Sequence, residues 1–143
     1  SGNQLNFLKD TLLKNYSNVD NIFVFFHQML WWEPDNIYKN VKMNSISGRS
    51  ETINFWSEVE PLFRSLKNKI FMFAGDFGAW SNGSAFMYHN YSNITLIGSG
   101  MGAGVSDNFV IVEINDNNVD FKLIALNDEN INSLGSLTDY RLP

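Results

Sequence analysis

Two apolar runs decide the fold: Asn21-Ile-Phe-Val-Phe-Phe26, which stops at His27, and Lys69-Ile-Phe-Met-Phe-Ala74, which runs into Gly75-Asp76-Phe77-Gly78. Neither alternates apolar with polar. Short continuous runs of this kind read as strands covered on both faces. Between them Ile53, Trp56, Val59, Phe63 and Leu66 recur at helical spacing across residues 52–67. Pro61 falls inside that pattern, so a kink or a break into two short helices is expected. Strand, helix, strand implies a parallel pair joined by a crossover.

Ahead of this unit, Leu5, Leu8, Leu12, Leu13 and Tyr16 predict an amphipathic helix over residues 4–16, with Asn3 as its N-cap. Residues 29–50 show no steady period and read as a long loop. Beyond the second run, strands are expected at 85–89 and 94–97 around a turn at 90–93. A hairpin of strands 109–114 and 119–126 is expected about Asp116-Asn117-Asn118. The polar tail after Asn127 carries no clear signal. The fold class is α/β: one domain of 143 residues, built on a mixed sheet with helices on one side.

With 44% apolar residues the chain has enough to form a core. A net charge of −5 and ten scattered basic residues argue against a nucleic-acid partner, which needs clustered Lys and Arg. No apolar run approaches the roughly 18 residues that read as a membrane span. The absence of cysteine excludes disulfides, thiolate zinc sites and cysteine nucleophiles. Asparagine supplies about one residue in seven, and composition alone accounts for the Asn-x-Ser/Thr triplets starting at Asn15, Asn82, Asn90 and Asn93.

Open α/β sheets gather their ligand sites at the carboxyl ends of strands. His27 and Asp76 stand at two such ends, and imidazole and carboxylate together suit a divalent zinc, manganese or iron ion. A strand-end histidine bonded to backbone and an aspartate in a turn are the alternative. Trp31 and Trp32, just past His27, either line a substrate pocket or fill the core. Gly98, Gly100 and Ala103 fit the spacing of a dinucleotide-binding turn. A strand rather than a helix is expected after them, which removes the helix N-terminus a pyrophosphate needs.

The order of these features resembles the C-terminal half of the calcineurin-like metallophosphoesterases. The features are Gln4-x-x-Phe7-Leu8, a buried strand ending in His27, a second helix, Phe73-Ala74-Gly75-Asp76, and strands with a glycine-rich turn. In that family a Gln-x-x-Trp-Leu helix precedes a strand whose terminal histidine binds metal, and a later strand ends in Gly-His-x-His. Here Asp76 stands where the first of those histidines would be and Gly78 where the second would be. The family's earlier Asp-x-His, Gly-Asp and Gly-Asn-His motifs are absent. The resemblance implies half of an α/β/β/α sandwich whose parent hydrolyses a phosphate ester with two divalent metals, Mn, Fe or Zn. His27 and Asp76 would be among the ligands, and the piece would be inactive alone. A member that has lost catalysis and acts as a ligand-binding domain is the alternative. Half a sandwich is expected to expose an apolar sheet face, and either to self-associate through it or to keep it for the missing half.

Overall fold

β1 (Asn21–Phe26) and β2 (Lys69–Ala74) lie side by side and parallel, with Asn21 opposite Lys69 and Phe26 opposite Ala74. Their bounds are those of the two apolar runs. The computed structural model describes residues 2–44, 54–77 and 84–143. On its other edge β2 takes β4 (Ile94–Gly98), again parallel, and β4 pairs antiparallel with β3 (Met87–Tyr91). The sheet is therefore mixed, in the order β1-β2-β4-β3. The turn between β3 and β4 is Ser92-Asn93, shorter than the four residues expected, and Ser92 takes a positive φ of 52° to make it.

The pleat of these strands sends Ile70, Met72, Ile94 and Leu96 to one face, all fully buried. Phe55 and Phe63 cover them from a π-helical turn (Phe55–Val59) and from α2 (Glu60–Arg64). Each such side chain contributes about 1.5–3 kcal/mol by leaving water. Pro61 sits in the first turn of α2, where its missing N–H costs nothing. The helical pattern thus splits into two short pieces at the proline; its first residues, 52 and 53, lie outside the described residues.

α1 (Gly2–Asn15) lies on the same side, resting on the core through Leu8 and Leu12. It begins ahead of Asn3, so Asn3 is inside the helix rather than its cap, and Leu13 remains 73% exposed. The stretch from Met29 to Asn44 forms no regular element yet supplies Met29, Trp31, Tyr38, Val41 and Met43 to the core.

Asparagine amides tie these pieces together. The Asn93 amide donates to the carbonyls of Phe63, Leu66 and Asn68 at 3.0 Å each, closing the end of α2 against the turn before β4. Asn68, itself buried, donates to the carbonyls of Tyr16 and Val19.

The opposite face of the sheet is covered by an antiparallel hairpin, β5 (Asn108–Asn115) and β6 (Asn118–Ala125). Phe121 packs on Phe71 and Phe73 with ring centroids 5.4 and 6.2 Å apart. Leu123 joins Ile97 and Phe86. The cover stops short of β1. There Phe23 and Phe25 stack on Phe71 and Phe73, and Phe25 is 72% exposed. The tail, unassigned from sequence, caps a 3-10 turn (Leu137–Tyr140) with Ser136 and Asp139 and then lays Leu142 N–H on the Tyr88 carbonyl at 3.0 Å. The fold class stands as mixed α/β, with the helices on one face and the hairpin on the other.

Candidate functional site at the strand ends

Because β1, β2 and β4 run parallel, the residues that follow them converge: His27, Gly75-Asp76 and Ser99. The Gly75 N–H donates to the Phe26 carbonyl at 3.3 Å, and the Ser99 N–H to that of Ala74 at 3.0 Å. A methyl group on Gly75 would stand 3.3 Å from the His27 carbonyl oxygen, 3.9 Å from His27 Nδ1 and 4.0 Å from the Ser99 oxygen. The imidazole therefore lies beside the Gly75 backbone, one residue from Asp76. His27 is exposed and Asp76 half-buried.

Asp76 adopts a φ of 69°, the left-handed region that side chains other than Asn and Asp rarely enter. Two bonds hold it there. Its carbonyl accepts from the Asn44 N–H at 2.8 Å, and the Asn44 amide donates to the Phe77 carbonyl at 3.0 Å. The next side chain, Phe77, is fully buried under the glycine-rich turn. A methyl at Gly98 would come within 2.4 Å of the Phe77 ring, and one at Gly100 within 2.6 Å of the Phe77 nitrogen. The glycines at 98 and 100 are there for close approach.

That turn is no anion cradle for a nucleotide. The N–H groups of Gly102, Ala103 and Gly104 all donate to the carboxylate of Asp107, at 2.9, 3.1 and 3.0 Å. The bond from Gly102 does most to hold the Asp107 carboxyl below its ordinary range; burial opposes it, and Gly104, Asn127 and Ala103 add to it. The strand β5 follows directly.

Trp31 is wholly buried, with its indole N–H on Met87 Sδ at 3.3 Å, and so offers no surface to a ligand from solvent. Trp32 is half-buried and packs against the same core. Gly78 lies outside the described residues. Among the described residues no group of three or more His, Asp or Glu side chains stands together to hold a metal ion.

The structure also assembles a cluster that the sequence reading missed. Tyr38, Trp56, His89 and Tyr91 meet at the β3 edge, with Tyr38 Oη 2.8 Å from His89 Nδ1. His89 and Tyr91 are two apart on a strand, which puts them on one face and was a readable signal. Tyr38 comes from a stretch without period and gave none.

No family model, no curated protein and no solved structure matches this chain.

Proposed function

We propose that the strand ends carry part of a divalent-metal site for hydrolysis of a phosphate ester, with the His27 imidazole and the Asp76 carboxylate as donors. The observation that supports this reading is that the two residues follow adjacent, parallel, in-register strands, with His27 Nδ1 3.9 Å from where a methyl on Gly75, the neighbour of Asp76, would be. Nitrogen and oxygen donors of this kind suit Zn, Mn or Fe. Bound there, such ions supply an acidified water and neutralise charge on the phosphoryl oxygens. The chain's own contribution is positional. Asn44 and the buried Phe77 fix the turn on both sides of Asp76, and β1 fixes His27. A metal site takes three or four protein donors, so in this reading the others come from outside the described residues.

The finer architecture belongs to the same proposal. In an α/β/β/α sandwich a second sheet covers the face carrying Phe23 and Phe25; here the hairpin covers that face over β2 and β4, and in this reading another copy covers the bare end at β1.

Calorimetric titration of Mn²⁺ and Zn²⁺ into the chain tests the site. Binding that disappears in both His27→Ala and Asp76→Ala is the expected result. Binding that survives both substitutions would overturn it.

A further inference from the structure

At the edge of the sheet opposite β1 an open groove of about 420 Å³ runs over Tyr38, Trp56, His89 and Tyr91. Its rim carries Glu33 and Asp35, and none of its lining residues is Lys or Arg. We propose that this groove binds an organic cation whose charge is spread over alkyl groups, a quaternary ammonium or a methylated amine, by cation–π contact with its rings and charge attraction to Glu33 and Asp35.

The rings are set in place rather than loosely gathered. Tyr38 and Trp56 stack with centroids 5.9 Å apart and planes at 16°. His89 and Tyr91 lie 5.2 Å apart, and Trp56 and Tyr91 6.5 Å. The Trp56 indole N–H is fixed on the Trp31 carbonyl at 3.0 Å, which turns its polar atom inward. Asn36 holds the loop between them, donating to the Trp31 carbonyl at 2.8 Å and accepting from the Tyr38 N–H at 2.9 Å. Tyr38 is buried and stacks against Trp56, so the rings left to a ligand are those of Trp56, His89 and Tyr91, held without rotamer freedom to lose.

Charge decides the occupant. A purely apolar groove would take a neutral ligand as readily, but two carboxylates at the rim favour a cation. Neither of the two nearby arginines lines the groove. Arg64 is paired with the buried Glu60 at 3.2 Å, and Arg141 stands on the tail, outside the lining. Burial first, and then Arg141, holds the His89 imidazole below its ordinary range, which disfavours a positive charge there. Burial first, and then Glu60, keeps the phenols of Tyr38 and Tyr91 protonated well above their ordinary range, leaving electron-rich neutral rings. A diffuse cation loses little hydration on entering such a site, and ring faces are worth about 0.5–2 kcal/mol to it.

The test compares choline with its neutral isostere 3,3-dimethylbutan-1-ol, titrated into the whole chain by calorimetry and followed by tryptophan fluorescence. Choline should bind saturably and about tenfold more tightly than the alcohol, the fold-change that 1.4 kcal/mol corresponds to. Trp56→Leu should abolish both signals. Because that change could disturb folding, the exposed pair Glu33→Gln and Asp35→Asn supplies a second readout, weakening choline several-fold and leaving the alcohol unchanged. Equal affinity for the two compounds, no saturation with choline, or indifference to the charge-neutralised rim would each overturn the proposal.

Discussion

A methyl group at Gly98 meets the tip of the Phe77 ring, whereas one at Gly100 meets the Phe77 backbone. The two glycines should therefore respond differently to the same rescue. Gly98→Ala is expected to cost about 1–3 kcal/mol through overpacking, and part of that should return when Phe77→Leu shortens the obstacle. Gly100→Ala should be as costly and gain nothing from Phe77→Leu, because a backbone atom cannot be trimmed. Denaturant unfolding of the single and double variants measures both couplings. Asn93 is a second residue with a defined part to play. Removing its amide in Asn93→Ala frees three carbonyls at once, and a loss of about 2 kcal/mol is expected from the same measurement.

At the scale of elements, β1 is a strand whose partner lies on one side only, with Phe25 exposed on the face the hairpin leaves bare. Phe25→Lys puts a charge there without touching the core. If that face joins two copies, sedimentation should show the wild type growing with concentration and the variant staying at one size. An unchanged wild-type profile across concentrations would remove the self-association. The bounds of β1 and β2 were legible because both runs are apolar after their first residue and end at a polar residue or a glycine. β3 was placed two residues early, since Tyr88-His89-Asn90-Tyr91 reads as polar until one sees its alternate side chains meeting the core. The separation of the hairpin into its own sheet was not legible, because pairing inside a hairpin is local information and the face it covers is not. Trp31 shows the same limit. Its sequence neighbourhood fits a pocket wall as well as a plug, and only the place of β3 beneath it, with Met87 at its indole, decides.

For the molecule as a whole, acid should act through His89. Its folded-state pKa is lowered, by burial first and then by Arg141, while in the unfolded chain it titrates near the ordinary value of about 6.5. Above that value neither state is protonated and the contribution is fully present. As pH falls below it, the unfolded chain takes up a proton the folded chain refuses, so stability declines towards the lowered folded value. The Tyr38 hydroxyl stands 2.8 Å from His89 Nδ1, within hydrogen-bond reach of the ring. Thermal melts between pH 7.5 and 5.5 should drop in the wild type and less so in His89→Gln.

The asparagine ties that close α2 and anchor Asn68 have a further consequence, for the solvent the protein tolerates. They join uncharged amides to uncharged carbonyls, so dissolved ions have no field to screen at these seams. Arg64 pairs with Glu60 at 3.2 Å and Lys122 with Glu113 at 2.9 Å, each through a largely exposed cation, and such pairs add little. The melting temperature should hardly move between dilute buffer and half-molar sodium chloride. Urea, which solvates peptide groups, competes for these same contacts. Brine should leave the molecule standing where a peptide-like cosolvent takes its seams apart.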